Sequence, residues 1–321
     1  MNKHLITLLF LFLTIALANA QKIDNMVSFR DINSNSYFRI NYENDYFAAT
    51  DENYTQGYNF EMFLDRLEKN PINHLFYTPE NSLTKYGLSI EHIGFTPNDY
   101  VSEDIQFGDR PFASAIMLKS MQIAVNTENK TRFTSSFNLG LIGPGAFGKE
   151  MQVGIHKWTG NKIPKGWKNQ IKNDVVINYE LGFEKQILKY NNLLSLQLIT
   201  NAKAGTLFTN ASVGFNTTFG IIDAPFATKE NRKRNFKLYA YFQPIASVIA
   251  YDATLQGGLF NTKSPYTISN SNIKRLTAQY HYGIVLKTKT LYFEYSRAAI
   301  TREFSTGSAA KYGGVKIGFI F

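Results

Sequence analysis

The chain contains no cysteine. It therefore has no disulfide, no thiolate zinc site and no cysteine nucleophile. Charge is scarce, at 18% of 321 residues. Beyond the first twenty residues no apolar run reaches 18, so none is long enough for a spanning helix. Gly-x-Ser-x-Gly, His-Glu-x-x-His and a phosphate-cradling glycine loop are all missing. Their absence removes the usual marks of a serine hydrolase, a zinc peptidase and a nucleotide enzyme.

What is present begins with a secretory signal over residues 1–20. Lys3 and His4 form a basic start, residues 5–16 are apolar, and Ala18-Asn-Ala20 is a small-residue cleavage site. A membrane anchor is the alternative, but a run of about 12 residues falls short of the roughly 20 that span a bilayer. Residue 21 is Gln, so a lipoprotein anchor is not expected. Aromatic residues make up 15% of the chain. Export, many aromatics and short alternating segments predict an all-β fold, a transmembrane antiparallel β-barrel of about 12 strands. A secreted soluble β-protein is the competing reading. The end of the chain, Tyr312-Gly-Gly-Val-Lys-Ile-Gly-Phe-Ile-Phe321, favours the barrel because it alternates and finishes on an aromatic.

Period-2 alternation and turn residues place strands over 37–46, 54–65, 85–96, 113–126, 132–143, 173–190, 192–206, 207–220, 236–252, 274–288, 289–300 and 312–321. The pair 192–206 and 207–220 also reads as one bent strand and a loop. Residues 21–321 form one domain. With the N-terminus in the periplasm, extracellular connections fall near 46–53, 97–112, 144–172, 205–210, 253–273 and 301–311. The periplasmic turns fall near 66–84, 127–131, 191, 221–235 and 288, of which 66–84 is long for its place. The net charge of +9 lies largely in turns, at 162–172 and 229–234. Charge in turns is the plain reading, so a nucleic-acid role is not expected, and basic loops against a phosphate-rich lipid surface are an alternative use.

Three polar clusters occupy the first three surface connections. Asn44, Asp45, Asp51, Glu52 and Thr55 offer hard oxygen ligands for Ca²⁺, or else form a polar hairpin tip. Arg110, in Gly108-Asp-Arg-Pro-Phe-Ala113, is placed to pair with a phosphate or carboxylate, or to form a salt bridge inside the barrel mouth. His156 lies in the long connection 144–172, which carries a helix over 149–157 ended by Pro164-Lys-Gly-Trp167. His4 leaves with the signal, His74 lies in a periplasmic turn, and His92 and His281 lie in strands. His156 is therefore the histidine available as a general base, or it is a packed loop residue. Metal, base and water together can hydrolyse an ester with no side-chain nucleophile.

Asn44-Asp45, Asn53-Tyr-Thr-Gln-Gly57, Gly108-Asp-Arg-Pro-Phe-Ala113, Gly140-Leu-Ile-Gly-Pro-Gly-Ala-Phe-Gly-Lys-Glu-Met-Gln152 with His156, and Pro164-Lys-Gly-Trp-Lys-Asn-Gln170 resemble the LpxR-type outer-membrane lipid A deacylases along the whole mature chain. The resemblance implies a twelve-stranded outer-membrane barrel. Its activity would be Ca²⁺-dependent hydrolysis of the 3′-linked acyloxyacyl ester of lipid A, at a site between the barrel wall and a loop helix. It also implies that His156 is the general base, that Asn44 and Asp45 lie near the metal and oxyanion, and that Thr55 is the family's hydroxyl residue on strand 2. Lys162 falls at a variable position. Asn98-Asp-Tyr-Val-Ser-Glu-Asp104 is acidic where one member is basic. Alternation leaves open whether Asn44 or Asp45 faces lipid. An outer-membrane phospholipase and a non-enzymatic pore or binding barrel are the rival readings. The substrate and surrounding lipids are the expected partners of a monomer.

Overall fold

A computed structural model describes residues 26–32, 34–48, 54–222, 226 and 235–321. The signal segment 1–20 and the acidic pair Asp51 and Glu52 lie outside the described residues. Twelve antiparallel strands close into a barrel. They are β1 Tyr37–Asn44, β2 Tyr54–Phe63, β3 Leu83–Phe95, β4 Ala113–Asn126, β5 Thr131–Ile142, β6 Asp174–Tyr190, β7 Leu194–Gly205, β8 Phe208–Ile221, β9 Lys237–Asp252, β10 Leu276–Lys287, β11 Leu291–Ile300 and β12 Ala310–Ile320. Each pairs with its neighbour in sequence, and β1 meets β12 from Tyr37↔Ile320 to Asn44↔Gly313. Closure leaves no open edge, which a bilayer requires of a sheet. Among the described residues no helix is long and apolar enough to cross a membrane, so the strands do the crossing.

Most expected strands are present within a few residues. The segments 192–206 and 207–220 form two paired strands, with Ala202↔Ala211 in register. Two boundaries differ for identifiable reasons. β1 stops at Asn44 because Asp45–Ala48 winds into a 3-10 turn. The long turn after β2 is filled by 3-10 turns at Asp65–Lys69 and Pro71–Leu75. The Asn70 side chain accepts from the Ile72 amide at 3.1 Å, and Pro71 stands where a helix tolerates a missing N–H.

Burial alternates strictly along β1. Tyr37, Arg39, Asn41 and Glu43 point into the lumen, while Phe38, Ile40, Tyr42 and Asn44 point out. The outer wall exposes Phe60, Ile90, Leu118 and Val248, as lipid contact demands. The lumen is polar and filled. Its charges are matched by Arg39–Glu61 at 2.7 Å and by Lys119 with Glu91 at 3.1 Å and Glu180 at 3.4 Å.

The described residues before β1 turn back into the barrel. Met26 to Ile32 are buried and pack on Tyr37, Phe63, Tyr239 and Tyr241. The Ser28 amide donates to both Glu184 carboxylate oxygens at 2.8 and 2.9 Å. Arg30 donates to Glu294 at 2.7 Å and to the Tyr241 hydroxyl at 2.7 Å. Lys85 pairs with Asp31 and donates to the Ile32 carbonyl at 2.7 Å. The segment is thus anchored to β3, β6, β9 and β11, and it fills the lumen at the end where β1 begins.

Candidate active site on the outer wall

The strand registers assemble one lateral row on the outer face. Asn44 lies one residue beyond the Glu43↔Gly57 pair, level with Gln56. Gln56 pairs with Gly94, and Gly94 pairs with Ser114. The row beneath it runs Tyr42↔Tyr58, Tyr58↔His92 and His92↔Ile116. Both rows therefore cross β1 to β4 just below the rim, on the side that faces lipid. Parity answers the question left by the sequence. Asn44 points outward, whereas Asp45 is buried and opens the 3-10 turn. Thr55 is the extra residue of a β-bulge between Tyr54 and Gln56, a device that commonly re-aims side chains at sites. The Thr55 side chain lies outside the described set.

A twelve-residue helix, α1 (Gly148–Thr159), lies on this wall. The connection that carries it is clamped at its base. Gly143 has φ +107, and a side chain there would begin 2.6 Å from the Asn173 nitrogen, so only glycine fits. The Gly145 amide donates to Asn173 Oδ1 at 2.7 Å. Gly148, Gln152 and His156 are the buried residues of α1, and their i, i+4, i+8 spacing puts them on one face. A Cβ on Gly148 would lie 2.4 Å from the Ser114 Cβ and 2.8 Å from the Trp167 ring. Glycine is what lets the helix approach the wall. Trp167 packs on Phe112 at 5.1 Å and donates from Nε1 to Gln152 Oε1 at 2.6 Å. The helix ends at Gly160, which adopts φ +73, not at Pro164, because a left-handed glycine closes the last turn first.

His156 is 8% exposed. Its Nδ1 lies 2.6 Å from the Lys162 carbonyl oxygen, in the chain that folds back beyond Gly160. A carbonyl only accepts, so Nδ1 carries the proton and Nε2 presents a lone pair. Tyr100 packs edge-on against the imidazole at 5.3 Å, and the Tyr100 carbonyl accepts from the Lys165 amide at 3.1 Å. Glu103 ties the same two connections together through Lys168 at 3.2 Å and Lys165 at 3.6 Å. The hydrogen bond from Lys168 and the charges of both lysines hold the Glu103 carboxyl below its usual range. The helix begins over β4 and carries His156 about 12 Å along its axis, to a residue of the connection that leaves β3. His156 therefore lies against the β3–β4 connection, through Tyr100. Ser114 donates to the Gly143 carbonyl at 3.3 Å and sits under the opposite end of the helix.

Calcium is the metal that the resemblance implies. The donors present near β1 are the Asn44 amide oxygen and the Asp45 carboxylate, both hard oxygens suited to that ion. Among the described residues no three His, Asp or Glu side chains converge to hold a metal. By donor chemistry alone the pair suits calcium.

Arg110 does not join this wall. Its guanidinium pairs with Glu303, donates to Thr254 Oγ1 at 2.8 Å and lies 4.0 Å over Phe95. Phe95 continues the inward face of β3, so Arg110 sits in the mouth of the lumen, in the salt bridge that the sequence offered as the alternative to an anion contact. Burial raises the Glu303 carboxyl, and the Arg110 charge offsets part of that rise. Sequence reasoning named Trp167 as an end of the loop helix and His92 as a strand residue, but it did not single out Gln152, Tyr100 or Tyr58 as supporting residues. Of these, Gln152 carried a local signal, one turn before His156.

No curated protein sequence matches the chain. Among solved structures, LpxR from Salmonella typhimurium superposes with a TM-score of 0.71 at 18% identity, over 89% of this chain and 100% of that one. The β-domain of the Bordetella autotransporter BrkA gives a TM-score of 0.44 at 8% identity, over 89% and 98%, which is too low to support an argument. The first likeness shows the fold. The sequence model of the outer membrane protein LpxR matches residues 5–321, so this outer-membrane β-barrel belongs to the LpxR family.

Proposed function

We propose that the protein is a lipid A deacylase that hydrolyses the 3′-linked acyloxyacyl ester of lipid A, with His156 as general base. The observation that carries this reading is the His156 Nδ1 hydrogen bond to the Lys162 carbonyl, made by a helix lying on the lipid-facing wall. It orients the ring and leaves Nε2 as a base at the depth where an outer-leaflet ester meets water. In the reaction, Nε2 takes a proton from water as the water oxygen bonds to the ester carbonyl carbon. When the tetrahedral species collapses, the bond to the sugar oxygen breaks and His156 returns the proton to that oxygen. The products are a free acyloxyacyl acid and a 3′-hydroxyl. Asn44 and Asp45 would hold a calcium ion, which would supply positive charge for the developing oxyanion. Thr55, at the bulge beside them, orients the ester.

A serine–histidine phospholipase finds less support. Ser114 is the outward serine under α1, but it lies at the Gly148 end and bonds Gly143. A pore finds less support too, since Met26 to Ile32 fill one end of the lumen.

The test is mass spectrometry of lipid A from cells expressing the wild type or His156→Ala, with and without Ca²⁺. Loss of the 3′ acyloxyacyl mass in the wild type alone, abolished by chelation, is expected. Unchanged lipid A beside folded wild-type protein would end this reading.

A further inference from the structure

In the half of β4 farthest from α1, Met121, Ile123 and Val125 pack in the luminal core, so Ser120, Gln122 and Asn126 face outward. These three are polar and buried, although polar groups bare to acyl chains are costly. The connection 64–82 covers them. Asn70 Nδ2 donates to Ser120 Oγ at 3.2 Å, Gln122 Nε2 donates to Thr78 Oγ1 at 2.8 Å, and Asn126 Nδ2 donates to the Glu80 carbonyl at 3.3 Å. On β6 the Tyr179 hydroxyl donates to the Leu75 carbonyl at 3.0 Å. The connection thus lies over the lipid side of β4 to β6. Between it and the wall is a pocket of about 690 Å³, whose lining includes Tyr77, Glu80, Asn129, Phe133, Phe183 and Lys185. That size suits a small ligand.

The polarity of this pocket has a direction. Thr131↔Lys185 and Phe133↔Phe183 are register pairs. Arg132 and Glu184, between them, are buried in the lumen, so both pairs face out. Lys185 is level with the first residue of β5, and Asn129 and Glu80 lie in the connections before β5 and β3. Phe133 and Phe183 lie two residues deeper in the bilayer, about 7 Å along the strands. Their rings meet at 4.9 Å, and Tyr77 closes edge-on against Phe133 at 5.4 Å. Charges of both signs therefore stand at the water boundary, with an aromatic floor running from them toward the membrane midplane. Among the described residues neither Glu80 nor Lys185 makes an ion pair, so both charges are open to a ligand. We propose that this pocket holds one phospholipid of the periplasmic leaflet with a zwitterionic ethanolamine head, its phosphate at Lys185, its ammonium at Glu80 and its chains on the aromatic floor. Aromatic belts and rim lysines are ordinary in such barrels. What distinguishes this place is the protein wall that makes the belt concave, and a carboxylate in the same pocket as the lysine. An ammonium donates three hydrogens to such a carboxylate, whereas a methylated choline head has none to give. The inference is independent of the deacylase reading and takes from the fold only the orientation with α1 at the cell surface.

The experiment uses the full mature chain, refolded from denaturant into detergent micelles so that it carries no cellular lipid. Phosphatidylethanolamine, phosphatidylglycerol and phosphatidylcholine with the same acyl chains are added separately, and bound lipid is counted by native mass spectrometry. One phosphatidylethanolamine per chain is expected, held roughly fivefold more tightly than the other two. Glu80→Gln should remove the preference over phosphatidylcholine and keep the phosphate contact. Lys185→Ala should weaken all three lipids by roughly three- to tenfold. Lys189→Ala, exposed on the same strand and outside the pocket, is the control and should bind as the wild type does. Glu80 and Lys185 are both exposed, and heat-modifiable mobility confirms that each variant is folded. Equal retention of the three lipids, a preference for phosphatidylglycerol, retention that Lys185→Ala leaves unchanged, or an ethanolamine preference that survives Glu80→Gln each overturns the inference. Lipid A turnover is a separate readout, and its absence from the wild type would end the deacylase reading without touching this one.

Discussion

Trp167 donates its indole N–H to Gln152 Oε1 at 2.6 Å, one helical turn before His156. The bond joins the returning strand of the loop to the wall-facing stripe of α1. Both side chains are buried, so neither has water as a substitute partner. Gln152→Leu leaves the indole N–H unsatisfied and costs about 1–3 kcal/mol. The expected result is a lower melting temperature, red-shifted tryptophan emission and reduced deacylation, with heat-modifiable barrel mobility retained. Unchanged emission and activity would show that the bond does not hold the helix.

Gly148 is where α1 touches the barrel. In Gly148→Val the new side chain meets Ser114 and Trp167 at 2.4–2.8 Å, against a wall that cannot retreat. The helix must lift, taking His156 with it. Turnover should fall by at least an order of magnitude, as a misplacement of about 1 Å can cause. Gly154, which has open space around it, is the matched control, and Gly154→Ala should be close to wild type.

Arg110→Ala tests the cluster at the lumen mouth. Burial raises the Glu303 carboxyl in the folded protein, and Arg110 holds that rise back. A folded-state value above the unfolded one favours the fold at low pH and is a growing cost as pH rises through it. Removing Arg110 enlarges the rise. The variant should match wild-type melting at a pH below the carboxylate range and lose on the order of 3 kcal/mol near neutrality. A loss independent of pH would mean that packing on Phe95, not charge, is what Arg110 supplies.

Arg30 and Glu294 hold the luminal segment at 2.7 Å with no exposure of either side chain. Glu294 also pairs with the fully buried Lys316 at 3.8 Å, so removing Glu294 strands two buried cations, at a cost of about 3–5 kcal/mol. Arg30→Ala and Glu294→Ala should each raise single-channel conductance in planar bilayers above that of the wild type. A closed Arg30→Ala barrel would show that the strand side chains seal the lumen alone.

The twelve strands, their order and the side of the sheet that meets lipid were legible because alternation is local. Phe38-Arg-Ile-Asn-Tyr-Glu43 states its two faces without reference to any other segment. His156 stood out for a related reason, as the histidine in a surface loop too long to be a simple turn. The limits of local reading show at Arg110. Gly-Asp-Arg-Pro-Phe reads equally as an anion contact or a salt bridge, and the choice is made by Glu303 and Thr254, which are remote in sequence.

Export and repeated alternation pointed, from the residues alone, to a membrane-crossing barrel over a soluble β-protein. Lipid forbids unpaired backbone, so strands that cross it must close on themselves. The fold was needed to show that Asn44 rather than Asp45 faces lipid, that α1 lies against the outer wall, and that residues 26–32 fill the lumen. Each depends on register and on contacts between distant segments. One residue of slip, or one turn ending two residues later, would reverse the first without changing a letter of the local pattern.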